Sequence, residues 1–159
     1  CMDLYEELTC LVDSLGKEGF DYALCGGIAV AFYGYPRFTK DIDILIRGED
    51  LDEILKIIEE RGFSIKGGLI PFDWGKPSQR EIYRVSKVEG RELLTLDLII
   101  VNKILQDVWD QRELFEWKNR QVQVVSPEGL IKMKRLAGRD QDLLDLKKLG
   151  FVDDEGSGD

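Results

Sequence analysis

The chain of 159 residues contains no histidine. That excludes Ser-His-Asp and Cys-His nucleophilic chemistry and every histidine-containing zinc site, so any catalysis must run on carboxylates, hydroxyls, lysine and arginine. Cysteine is sparse. Cys1, Cys10 and Cys25 are odd in number and lack paired metal-ligand spacing, which argues against a disulfide framework and for small buried hydrophobes. No apolar run approaches the length that crosses a bilayer, and no basic segment followed by an apolar one opens the sequence, so a cytoplasmic protein without a signal peptide or membrane partner is expected. Positive charge is also in deficit. A net charge of −9 is at odds with a protein that lives by coating nucleic-acid phosphates, although a local basic patch remains compatible with it.

What is present is an ordinary globular composition, 43% apolar and 33% charged, at a length that suits one domain. Leu4, Leu8, Leu11, Val12 and Leu15 recur at helical spacing over residues 3–18, with Gly16 or Gly19 as the stop. "DYALC" reads as a short strand, Gly26 and Gly27 follow it, and "IAVAFYG" reads as a short buried helix closed by Gly34. "DIDILI" alternates with period two, and Leu51, Ile54, Leu55 and Ile58 form the stripe of a helix capped by Gly62. Residues 63–101 hold three strand candidates, "GFSIKGGLI", "REIYRVSKV" and "LLTLDLIIV", in an antiparallel or mixed sheet. A short helical stretch after Asn102, a hairpin in "LFEWKNRQVQVV", a helix begun by Ser126 and Pro127, and a last helix in "DQDLLDLKKL" complete the pattern. The expected fold is a single α+β domain over residues 1–150, a mixed sheet flanked by helices with further helices at the C-terminal end. The acidic tail 151–159 has nothing to bury and is expected to be disordered.

Two aspartates inside the apolar strand "DIDILI" carry the chemical signal. Asp41 and Asp43 point the same way, with Cα atoms about 6.6 Å apart at strand rise, so their carboxylates can converge on one cation. Asp97 is the one charge in "LLTLDLIIV"; if that strand lies beside the first, three carboxylates share one site. Like charges that close destabilise one another unless a cation neutralises them, and all-oxygen ligation selects Mg²⁺ or Mn²⁺ over zinc. Gly26 and Gly27 stand where a strand becomes a helix, and glycines there admit a phosphate to the backbone. Singly, a glycine pair is usually a tight turn and alternating acids a wet strand face; the conjunction points instead to phosphoryl or nucleotidyl transfer. Neither a P-loop nor a G-x-G-x-x-G offers a competing nucleotide site, since Lys76 is followed by Pro77 and the glycine spacing is wrong.

"CGGIAVAFYGYPRFTKDIDILI" resembles the signature of the DNA polymerase β-type nucleotidyltransferase superfamily: a glycine pair, a gap of about a dozen residues, then D-h-D-h with h apolar. The stretches "PRFTKDID" and "LIKMKRLAGRDQDLLDLKKL" look closest to the small prokaryotic nucleotidyltransferases of the AbiEii type, toxins of toxin–antitoxin systems among them, with Lys134, Ala137, Arg139, Asp142, Asp145 and Leu146 in the places of the distal motif. The resemblance implies Asp41, Asp43 and Asp97 as metal ligands, with Asp97 also activating the acceptor hydroxyl. It implies Gly26 and Gly27 at the triphosphate and Arg37, Thr39, Lys134 and Arg139 as further nucleotide contacts. The donor would be an NTP and the acceptor a hydroxyl on tRNA, a protein side chain or a small molecule, with a partner protein for toxin–antitoxin members. Acceptor identity stays open. Two other readings stand beside this one: a non-catalytic nucleotide-binding module, and a structural protein with a wet acidic strand.

Overall fold

The computed structural model describes residues 3–35, 39–138 and 147. Helix α1 spans Leu4–Lys17; the Asp3 side chain caps it by accepting from the Glu6 amide, and Leu8, Leu11, Val12 and Leu15 are buried. Cys10 lies two positions from Leu8, about 200° round the helix, and is exposed, against the expectation that the cysteines are buried. Strand β1, Ala23–Cys25, runs directly into helix α2, Gly26–Phe32, so the glycine pair forms the first turn of that helix rather than preceding it. Strand β2, Asp41–Ile46, buries Ile42, Ile44 and Ile46 on one face and turns Asp41 and Asp43 to the other. Helix α3, Leu51–Glu59, ends before Gly62, which sits at φ +99°.

A meander follows: β3 (Ile65–Phe72), β4 (Arg80–Glu89) and β5 (Glu92–Ile100), antiparallel neighbour to neighbour. Pro71 is tolerated because β3 is an edge strand. Helix α4 (Gln106–Asp110) leads to the hairpin of β6 (Glu113–Trp117) and β7 (Arg120–Val124), whose turn residues Lys118 and Asn119 both have positive φ. Helix α5, Pro127–Ala137, starts as its sequence predicts, with the Ser126 hydroxyl accepting from the Gly129 amide at 3.1 Å and Pro127 at the first position. Of the expected helix in "DQDLLDLKKL" only Lys147 is among the described residues, helical and exposed; the rest of it and the acidic tail lie outside them.

Among the described residues seven strands form one mixed sheet in the order β3-β4-β5-β2-β1-β7-β6. β2 pairs parallel to β5 and antiparallel to β1, and β1 pairs parallel to β7. Register aligns one residue from each of four adjacent strands: Arg84 opposite Asp97, Asp97 opposite Asp43, Asp43 opposite Cys25. That transverse row crosses the floor of a cavity whose lining includes Cys25, Asp43, Asp97 and Arg84.

Candidate functional site

A cavity of about 280 Å³ opens over this row, lined by both polar and apolar groups. β2 contributes Asp41 and Asp43, β5 contributes Asp97, and the start of α2 contributes Gly26 and Gly27; Thr39 and Lys134 line the same space. Neighbouring strands lie roughly 4.8 Å apart, so Asp43 and Asp97, directly opposite on β2 and β5, are one strand spacing from each other. Asp41 follows on the same face. Arg37 and Arg139 lie outside the described residues, so the structure brings seven of the nine sequence-predicted residues to one cavity.

Thr39 Oγ1 is engaged at the entrance to β2, donating to the Asp41 carbonyl at 3.3 Å and accepting from the Asp41 amide at 3.4 Å. Lys134 is buried on α5, and its charge is felt at Cys25 together with those of Asp43 and Asp97. Cys25 itself is a packing residue: burial first, then the Asp43 charge, push its thiol well above the ordinary range, so no thiolate is available there. Gly26 has φ +66°, and a Cβ on it would overlap Asp43 Oδ2 and stand 3.0 Å from Asp43 Cγ. The glycine is therefore required by the carboxylate behind it, a reason the sequence pattern did not reveal.

Part of the cavity lining is built by residues that sequence reasoning missed. Arg80, Ile82 and Arg84 share one face of β4 and all line the cavity. Arg84 forms a two-pronged ion pair with Asp97, Nε donating to Oδ1 at 2.8 Å and Nη2 to Oδ2 at 3.0 Å. Those hydrogen bonds, then the charges of Asp97, Asp41 and Asp43, hold the Arg84 guanidinium above its already high range. Arg80 donates to Asp73 Oδ2 at 3.1 Å and lies 5.2 Å from the centre of the Phe72 ring. A usable signal was present: Glu89 pairs with Glu92 across the β4–β5 turn, and stepping five residues back along each strand lands on Arg84 and Asp97.

The donor set is carboxylate oxygen throughout, which suits a hard divalent cation. The missing Cβ at Gly26 gives Asp43 room to face the cavity. As the side chains stand, no group of three or more Asp, Glu or Cys residues among those described is gathered tightly enough to hold a metal ion, and Arg84 supplies positive charge at Asp97. Among the described residues no helix is long and apolar enough to cross a membrane.

An α+β fold with a mixed sheet, acidic side chains on adjoining parallel strands and a glycine-started helix is the frame of a nucleotidyltransferase. The chain belongs to the uncharacterised nucleotidyltransferase family, whose model matches residues 2–133. Among solved structures it is similar to a candidate nucleotidyltransferase of Thermotoga maritima, TM1012, at 17% identity and a TM-score of 0.61, covering 92% of this chain and 94% of that one. It is also similar to JHP933 of Helicobacter pylori, at 23% identity and a TM-score of 0.54, covering 91% of this chain and 63% of that one. A third similar structure is ANT(2″)-Ia in complex with adenylyl-2″-tobramycin, at 17% identity and a TM-score of 0.54, covering 89% of this chain and 84% of that one. No curated protein matches the chain by sequence.

Proposed function

We propose that this protein is a metal-dependent enzyme that moves a nucleoside monophosphate from an NTP to a hydroxyl acceptor on tRNA, a protein or a small molecule, in the cytoplasm. One observation carries the reading: Asp43 and Asp97 are opposite in register on adjoining parallel strands, with Asp41 on the same face and Lys134 lining the same cavity. In this reading Asp41, Asp43 and Asp97 hold Mg²⁺ or Mn²⁺, and Gly26, Gly27, Arg37, Thr39, Lys134 and Arg139 position the triphosphate. A bound divalent cation would supply the charge that clamps attacking and leaving oxygens. Asp97 takes the proton of the acceptor hydroxyl, whose oxygen bonds to the α-phosphorus as the bond to the β-phosphate oxygen breaks. Lys134 then faces the charge that accumulates on the departing pyrophosphate. Kinship with toxins of the AbiEii type, and with it a partner protein, rests on "PRFTKDID" and on the stretch from Lys134 to Leu146, parts of which lie outside the described residues.

A second reading, a nucleotide-binding module without catalysis, draws on the Arg84 fork that engages the third carboxylate. Labelled NTPs incubated with the protein, Mg²⁺ and a cell extract separate the two. Transfer of label to a macromolecule or small molecule, abolished by Asp43→Asn, is the expected result. Asp43→Asn should melt no lower than the parent in chelator, since an amide eases repulsion between carboxylates, yet lose most of the rise in melting temperature that Mg²⁺ with NTP gives the parent. Nucleotide bound without transfer would establish the second reading. An Asp43→Asn variant that keeps the parent's Mg²⁺–NTP response would remove Asp43 from the metal site.

A further inference from the structure

Arg84 is the cation of the transverse row, and its surroundings differ on its two sides. Towards the sheet centre it holds both Asp97 oxygens. Towards the sheet edge it faces the bulge of β3: a Cβ on Gly67 would stand 3.2 Å from the Arg84 carbonyl oxygen and 3.5 Å from its Cβ, so glycine there leaves room for the stem, and the register partner Gly68 has nothing within 4 Å of where a Cβ would be. The exposures match this asymmetry: the Asp97 side chain is 12% exposed and that of Arg84 46%. The carboxylate is fixed in the floor, whereas the guanidinium sits at the end of a long, half-exposed stem.

A fork on Asp97 conflicts with the work the site would have to do. Oxygens that accept two charge-assisted hydrogen bonds are poor metal ligands and poor proton acceptors until those bonds are released. Resting on the nucleotidyltransferase reading of this site, we propose that Arg84 is a positioning residue: it serves as resident counter-cation of the carboxylate cluster and gives up Asp97 when a divalent cation arrives with the triphosphate, turning its half-exposed side chain away from the floor. The fork holds Asp97 in place while the site waits. Its release requires both a replacement cation for Asp97 and a new anionic partner for Arg84. A metal–nucleotide pair supplies the two together and a metal ion alone supplies only the first, so metal binding is strongly coupled to nucleotide binding.

The experiment is Mn²⁺ binding, followed by electron paramagnetic resonance of the free ion, to the parent, Arg84→Met and Arg84→Lys. Each is titrated without nucleotide and with a non-hydrolysable analogue of each ribonucleoside triphosphate, after circular dichroism has established the fold. Arg84→Met should bind Mn²⁺ alone roughly tenfold to a hundredfold more tightly than the parent, the factor expected for removing competing charge-assisted hydrogen bonds, and should show a smaller gain on adding nucleotide. Arg84→Lys keeps the charge without the fork and should fall between them, so the comparison survives if the methionine variant folds poorly. Equal Mn²⁺ affinity in parent and Arg84 variants, with normal Mn²⁺–nucleotide binding in all, overturns the role of Arg84 and leaves the reading of the site intact. Absence of Mn²⁺ binding in every protein, with and without nucleotide, overturns both.

Discussion

Gly26→Ala tests the link between the start of α2 and the acid on β2. Two costs arise from the structure. The residue sits at φ +66°, where an L side chain loses about 1–2 kcal/mol. The added methyl also overlaps the Asp43 carboxylate, 3.0 Å from its Cγ and 3.1 Å from its Cβ, and forcing a side chain aside in this way typically costs about 1–3 kcal/mol. The total of about 3 kcal/mol should lower the melting temperature by roughly 6–12 °C, at 2–4 °C per kcal/mol for a protein of this size. The assay is a double-mutant cycle with Asp43→Ala, read from denaturant midpoints. In that background the overlapping oxygen and Cγ are gone, only the contact at 3.1 Å and the φ cost remain, and the penalty should fall to about 1–2 kcal/mol. Equal penalties in both backgrounds would refute the argument that Asp43 is what demands glycine at 26.

Two further outcomes follow from buried groups away from the cavity. Burial pushes the Tyr22 phenol up to about 12 from an ordinary 10, so the unfolded chain ionises first; stability is complete below pH 10 and falls by about 1.4 kcal/mol per pH unit between 10 and 12. Tyr22→Phe should make the decline in urea midpoint over that window shallower, and an unchanged slope would exclude Tyr22 as its source. Lys87 on β4 donates to Glu7 on α1 at 2.9 Å in a pair whose side chains are 18% and 10% exposed. Lys87→Met leaves Glu7 buried without that partner and should cost about 3 kcal/mol, largely recovered by adding Glu7→Gln; no recovery would show that the lysine stem, not the charge, supports the contact.

The parts of this fold that were legible in the sequence are those whose signal is local. The stripe of α1, the period-two alternation of β2, the Ser126–Pro127 start of α5 and the Lys118–Asn119 turn each depend on residues a few positions apart, and each is present. The pairing of β2 with β5 is different. Asp41 meets Thr95 across a parallel pair, and nothing local records a contact at that separation, so the meeting of Asp43 with Asp97 could be stated only as a condition. β1 was read as a short strand in "DYALC", and it is one, but its three residues, all buried, are too few for a period to show which strands it joins. Arg84 was missed for another reason: its strand was treated as a sheet component, although its alternation puts Arg80 and Arg84 on one face and the hairpin register puts Arg84 on Asp97. Arginine on a strand is ordinarily a surface residue, and only its neighbour's identity made it more than that.

The charge of the cavity connects these observations. The protein as a whole carries −9, yet the described residues lining the cavity include three acids, Asp41, Asp43 and Asp97, and three cations, Arg80, Arg84 and Lys134. Of these cations, Arg80 is bonded to Asp73 and Arg84 to Asp97, so much of the positive charge is already engaged. A triphosphate entering such a space would meet no surplus of positive charge among the described lining residues and, beyond it, the field of a strongly acidic protein. Electrostatics therefore favours a nucleotide that arrives with its own cations over one that arrives bare. The same balance explains why three carboxylates can be tolerated on one sheet face while the protein folds: the guanidinium on the adjoining strand is in register with the most buried of them, Asp97, and offsets its charge until something else does.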